Sequence, residues 1–162
     1  MPETVAPALV EALIGRGETV ATAESLTAGL VCATLTDVPG SSAVVRGGLV
    51  VYATDLKTRL AGVDPALLAD HGAVHPEVAA QLAAGARDRC AADWGLGLTG
   101  VAGPAAQDGV EPGVVYIGLA GARVTTVRPH RFEGDRRAVR TKAVRAALKL
   151  LWEECGVAPG DT

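Results

Sequence analysis

A serine at the point where a strand turns into a helix can be a nucleophile. Ser25, in Thr22-Ala23-Glu24-Ser25-Leu26-Thr27-Ala28-Gly29, has that placement. A short β-like run, Glu18-Thr19-Val20-Ala21, precedes it, and apolar residues at Leu26, Leu30, Val31 and Leu35 follow at helical spacing. Two roles fit. Serine is a favoured helix N-cap, its oxygen accepting an orphan backbone N–H. It is also a hydroxyl held by a strand and aimed outward, with helix N–H groups near enough to stabilise an oxyanion. A serine nucleophile needs a base. His71 ends a short helix, His75 precedes a proline at a helix start and His130 falls on an edge strand, so no histidine obviously supplies one. No Gly-x-Ser-x-Gly elbow is present either. Lysine is scarce: Lys57, Lys142 and Lys149 stand against twelve arginines. Lys57 follows Gly48-Leu49-Val50-Val51-Tyr52, which reads as a buried strand. Partial desolvation there lowers an amine's pKa and lets it act as a base. An exposed surface lysine is the competing reading.

Two further stretches carry candidate chemistry. In Thr99-Gly100-Val101-Ala102-Gly103-Pro104, glycines allow backbone N–H groups to approach an anion closely, though a plain tight turn fits as well. It is neither a dinucleotide fingerprint nor a P-loop. In the last helix, about 100° per residue places Val139, Ala143, Ala147, Leu150 and Leu151 on one face. Arg136 and Arg140 share that sector, while Lys142, Arg145 and Lys149 point away from it. Arginines that point toward a core need partners. Either a carboxylate such as Glu133 pairs with them, or they clamp a phosphate or carboxylate ligand. No His/Cys/Asp/Glu spacing suggests a metal site.

The elements that must position these residues alternate. Helix, strand, helix, strand and three helices are followed by a strand, a hairpin and a final helix, with Pro129 demoting the fifth strand to an edge. This order predicts an α/β fold, a three-layer sandwich with a mixed β-sheet of about five strands flanked by helices. The 162 residues suggest one domain spanning 1–162, with a core of about 5–152 and a frayed tail at 155–162. Apolar residues make up 49% and aromatics 3%, so the core is built from Val, Leu and Ala. A net charge of −3 argues for neither nucleic acid nor an anionic membrane as partner. Cys32, Cys90 and Cys155 are too few and too far apart for a disulfide framework, and no signal peptide or spanning segment is evident. Together these features predict a cytoplasmic location.

Several of these stretches together resemble the CinA C-terminal domain family. They are Thr22–Gly29, Val38-Pro39-Gly40-Ser41-Ser42, Gly47–Tyr52 with Lys57, Leu60 and Gly62-Val63, His71–Val74, Thr99–Pro104, and Phe132-Glu133-Gly134-Asp135-Arg136 with Val139-Arg140. They occur in the family's order over about residues 5 to 152. The resemblance implies a nicotinamide-nucleotide amidase, which hydrolyses nicotinamide mononucleotide (NMN) to nicotinate mononucleotide and ammonia without cofactor or metal. It implies Ser25 as nucleophile, Lys57 as base and Tyr52 as the accompanying tyrosine. It also implies substrate contacts from Thr27, Ser41, Ser42, Thr99, Gly100, Gly103, Arg136 and Arg140, with the arginines on the ribose phosphate. A homo-oligomer, most simply a dimer, is the expected assembly. Ala28 stands where the family commonly has glycine, Ala105-Ala106-Gln107 replaces a glycine run, and Glu111 replaces a common lysine. A nucleotide-binding or regulatory protein with weak or no catalysis, linked to competence and DNA damage, is the alternative function.

Overall fold

The computed structural model describes residues 5–156; most of the tail expected to fray, 157–162, lies outside them. Five strands form one mixed sheet in the order β2-β1-β3-β4-β5. They are β1 (Val20–Glu24), β2 (Val45–Val50), β3 (Trp94–Gly100), β4 (Val114–Ala120) and β5 (Thr125–Arg131). Strand β1 runs parallel to both β2 and β3, whereas β3, β4 and β5 pair antiparallel. Helices α1 (Val5–Arg16), α2 (Leu30–Thr36) and α6 (Arg136–Glu154) cover one face. Helices α3 (Thr54–Ala61), α4 (Pro65–His71) and α5 (Pro76–Arg89) cover the other. The three-layer sandwich expected from the alternation is therefore the fold.

Strand β3 shows how the two faces differ. Its Leu96 and Leu98 are fully buried in the larger core with α1 and α6, whose Val139, Ala143, Ala147, Leu150 and Leu151 form the face expected from 100° spacing. On the opposite side Gly95 and Gly97 leave a floor without side chains, continued by Gly118 opposite Gly97 on β4. Helix α5 sits directly on that floor. A Cβ at Gly97 would stand 2.4 Å from the Ala83 nitrogen and 2.5 Å from the Ala79 oxygen. Those atoms are helix backbone and cannot rotate away, so Gly97→Ala should cost about 1–3 kcal/mol. Gly15→Ala, with nothing within 4 Å of its Cβ position, is the control. A helical alanine there should be neutral or slightly stabilising. Urea titration of both variants checks the contrast.

The fold corrects two expectations. The run at 48–52 does not form a buried strand. Strand β2 spans Val45–Val50 on the sheet edge, with alternate residues exposed. Helix α2 begins at Leu30, five residues beyond Ser25, after a turn in which the Ala28 N–H donates to the Ser25 carbonyl. Ala28 lies at φ 49 in that turn. This left-handed conformation costs a residue with a Cβ about 1–2 kcal/mol, which accounts for a glycine preference at this place. Strand β5 is an edge, as Pro129 indicated.

Candidate active site

Sheet topology carries Ser25 to Lys57. Strand β1 ends at Glu24, and the Ser25 N–H prolongs the ladder by donating to the Leu98 carbonyl at 3.0 Å. The Val51 N–H donates to the Glu24 carbonyl, which brings the segment after β2 alongside. Helix α3 starts immediately afterwards and turns Lys57 inward. This lysine is only 1% exposed, among the largest fully buried side chains of the protein. Its Nζ donates to Ser25 Oγ at 3.0 Å, to the Val51 carbonyl at 2.9 Å and to the Tyr52 carbonyl at 3.3 Å.

This arrangement sets the protonation chemistry. Burial penalises the ammonium and lowers the Lys57 pKa from 10.5 to about 8, against an opposing pull from the Asp108 carboxylate. A neutral amine has two N–H bonds and one lone pair. With Val51 and Tyr52 accepting the two N–H bonds, the lone pair faces Ser25. The pair is then poised for proton transfer from hydroxyl to amine.

Ser25 does not cap α2. Glu24, buried beside it, does so from the preceding residue. Glu24 Oε1 accepts from Thr27 Oγ1 at 2.7 Å and the Val31 N–H at 2.8 Å, while Oε2 accepts from Thr22 Oγ1 at 3.0 Å and the Cys32 N–H at 3.1 Å. The carboxylate thus occupies the positive end of α2 and ties down the turn after Ser25. Glu24→Gln turns an acceptor into an N–H₂ group facing these donors. It should cost about 2–3 kcal/mol of stability, measurable by urea titration. No periodicity signals this residue; a carboxylate just before a hydroxyl and within reach of a helix start is the only sequence trace. Among the described residues, the N–H groups of Leu26 and Thr27 have no protein acceptor.

A pocket of about 420 Å³ opens over Ser25, lined also by Leu26, Tyr52, the 100–107 loop and Arg136. That volume suits a small organic ligand. Gly100 and Gly103, expected at the substrate, lie in its wall. Arg136 Nη1 donates to the Gly103 carbonyl at 2.7 Å and Nη2 to the Tyr52 hydroxyl at 3.1 Å. Arg140 Nε donates to the Leu26 carbonyl at 2.8 Å. Neither arginine makes an ion pair among the described residues, so of the two roles open to them the structural pairing with a carboxylate such as Glu133 is not formed. Leu26, Ala105, Ala106 and Gln107 also line the pocket, though none of them is among the expected substrate contacts.

Other expected contacts fall elsewhere. The Thr27 hydroxyl is spent on Glu24. Thr99 is buried and donates to the Ala73 carbonyl at 2.6 Å. Ser41 donates to the Thr36 carbonyl in a short 3₁₀ turn, Ser41–Ala43, which also holds Ser42. None of these four lines the pocket. Arg140 grips backbone behind Leu26 rather than lining the pocket. The Tyr52 side chain is 58% exposed and its hydroxyl meets Arg136, not Lys57; it touches the lysine through its carbonyl.

A buried lysine bonded to a serine at the end of an inner parallel strand, under a pocket in an α/β/α sandwich, is an arrangement that can pass a serine proton to an amine. The sequence profile of the CinA C-terminal domain matches residues 2–155, and the chain belongs to that family. A CinA-like protein of Frankia casuarinae is 51% identical over 86% of this chain and 32% of its own length. A putative competence-damage inducible protein of Desulforamulus reducens is 41% identical over 91% of this chain and 36% of its own. The chain therefore spans about a third of the length of such curated relatives. Among solved structures, a CinA superfamily protein from Escherichia coli superposes with TM-score 0.90 at 30% identity, covering 94% of this chain and 89% of that one. The competence/damage inducible protein CihA from Agrobacterium tumefaciens gives TM-score 0.86 at 33% identity, covering 94% and 96%. No helix among the described residues is long and apolar enough to cross a membrane.

Proposed function

We propose that the chain is a serine amidohydrolase that converts NMN to nicotinate mononucleotide and ammonia. The observation that carries this reading is the 3.0 Å bond between Ser25 Oγ and the Nζ of a lysine whose burial brings its pKa down to about 8. The neutral Lys57 amine takes the Ser25 proton as Oγ bonds to the carboxamide carbon. Oxygen charge builds up on the former carbonyl, where the free Leu26 and Thr27 N–H groups would receive it. Lys57 returns the proton to the departing nitrogen, the C–N bond breaks, and ammonia leaves. Water then attacks the Ser25 ester, giving one proton to Lys57 and thence to Oγ, and nicotinate mononucleotide is released.

Arg136, at the pocket wall and without an ion pair among the described residues, suits the phosphate of this substrate. Its Tyr52 contact is a neutral one that a phosphate oxygen can displace. Arg136→Ala should raise KM for the mononucleotide tenfold or more. The riboside, which lacks the phosphate, should change by less than about twofold. Equal losses on both would remove the arginine from phosphate recognition. The test of the reaction itself is incubation with NMN, with ammonia and nicotinate mononucleotide quantified together. Equimolar formation of both is expected. Binding without release of ammonia would favour a regulatory role instead.

A further inference from the structure

The turn that carries Ser25 has each of its first carbonyls held. The Ser25 carbonyl accepts from the Ala28 N–H at 3.0 Å, and the Thr27 carbonyl accepts from the Leu30 N–H at 3.0 Å. Both of these bonds are local. The Leu26 carbonyl has no backbone donor among the described residues. It accepts instead from Arg140 Nε at 2.8 Å, on α6 and 114 residues away. The turn's acceptors are therefore occupied, while the Leu26 and Thr27 N–H groups have no protein acceptor among the described residues. Arg140 is half-buried, makes no ion pair among the described residues and does not line the pocket. Half-burying a guanidinium for one backbone carbonyl is costly unless that bond serves a purpose. Leu26, the residue it holds, lines the pocket beside Ser25. One helical turn earlier, Arg136 grips the Gly103 carbonyl of the 100–107 loop. The first two turns of α6 thus tie down both segments that frame the nucleophile.

The Leu26 carbonyl and the Thr27 N–H belong to one planar trans peptide, so they point in opposite directions. A donor fixed on the carbonyl fixes the direction of the N–H. A charged donor also polarises the peptide, and its N–H then donates more strongly. The Glu24 carboxylate, which accepts from Thr27 Oγ1 at 2.7 Å, places a negative charge beside the same residue. Unopposed, that charge disfavours an oxyanion at this turn. The Arg140 cation, bonded to the peptide that precedes Thr27, opposes it.

We infer that Arg140 is a positioning residue for the oxyanion, which sets and polarises the Leu26–Thr27 peptide through the Leu26 carbonyl, rather than a ligand of the substrate phosphate. The inference rests on the reading of Ser25 as the nucleophile of an amidase. In turnover, Arg140→Met should lower kcat and leave KM for NMN within about twofold, because the interaction is made only as charge builds up on oxygen.

The test uses the NMN analogue with an aldehyde in place of the carboxamide. Ser25 Oγ adds to its carbonyl carbon, the C=O π pair moves onto oxygen, and the hydroxyl proton passes to Lys57. No group leaves and no turnover is needed. Titration calorimetry gives the affinity of this analogue in wild type, Arg140→Met, Ser25→Ala and the double variant. Losing one oxyanion donor outright costs on the order of 10²-fold or more, so loosening the turn that carries two should cost about tenfold. Arg140→Met should therefore weaken the aldehyde about tenfold where Ser25 is present, and less than twofold where it is alanine. The second result also establishes that the variant is folded. Arg140→Lys keeps the charge on a different reach and should give a smaller loss of the same Ser25-dependent kind, which keeps the test decisive if methionine unfolds the chain. Arg145→Met removes a cation from the exposed side of α6 and should change nothing. Equal losses with and without Ser25, as a phosphate contact would give, would overturn the inference. So would no loss, or an aldehyde that gains no affinity from Ser25 in the wild type. Ammonia release from NMN by the wild-type protein decides the amidase reading separately. If the Ser25-dependent loss occurs but ammonia is absent, that reading fails while the role of Arg140 stands.

Discussion

Ser25→Ala should abolish ammonia release from NMN, with a loss of roughly 10⁴- to 10⁶-fold. Losses of this size follow when the nucleophile of a covalent mechanism is removed and only pocket binding remains. The fold should survive. The Ser25 side chain makes one hydrogen bond, to Lys57, and the amine keeps the Val51 and Tyr52 carbonyls as acceptors. Affinity for the substrate should therefore stay within a few-fold of wild type. A urea midpoint close to wild type, together with a flat ammonia trace, separates lost chemistry from lost structure.

Lys57→Met should lower kcat by roughly 10²- to 10⁴-fold, the range expected for removal of a general base. Methionine is chosen because the site is buried and a methionine side chain is apolar and nearly as long as the lysine stem. Lys57→Arg is the sharper companion, since a guanidinium keeps the charge but cannot give up its proton. The pH profile carries the same information. Only the neutral amine can accept the Ser25 proton, so kcat/KM should rise with pH through a midpoint of about 8 and then level off. Stability should follow the same group. Lys57 binds its proton less tightly in the folded chain than in the unfolded one, where its pKa is near 10.5. Between about pH 8 and 10.5 the unfolded chain holds more protons, so this lysine makes stability increase with pH across that window. Below about 8 its destabilisation is fully present. In Lys57→Met that contribution should vanish, which denaturant titrations at pH 7 and pH 10 would reveal.

The sequence disclosed what local chemistry controls. Asp64 before Pro65, and Asp135 before Arg136, cap α4 and α6 as their residue types require, accepting from the Ala66 and Ala138 N–H groups. The buried face of α6 followed from its period, and Lys142, Arg145 and Lys149 lie exposed on the other side. What stayed hidden depends on lateral order and long-range contact. The apolar run after Gly48 says nothing of whether its strand is central, and parallel pairing puts β2 at the edge beside β1. Arg140 was correctly placed toward the core, yet its partner is the Leu26 carbonyl, 114 residues away in sequence. The hydroxyls expected at the ligand have other partners for a similar reason. Thr27, Ser41 and Thr99 satisfy Glu24 and the Thr36 and Ala73 carbonyls, demands visible only once the chain is folded. Glu24 escaped notice because its role is to receive bonds from groups as far as eight residues on.

The proposed chemistry requires a covalent ester between the substrate's acyl group and Ser25. Rapid acid quenching of wild-type protein mixed with NMN, followed by mass analysis of the Ser25 peptide, tests this most directly. The expected result is a transient mass increase equal to the mononucleotide less ammonia, carried on Ser25 and absent from Ser25→Ala. Steady ammonia release from protein that never carries this adduct, or an adduct on a different residue, would contradict the account.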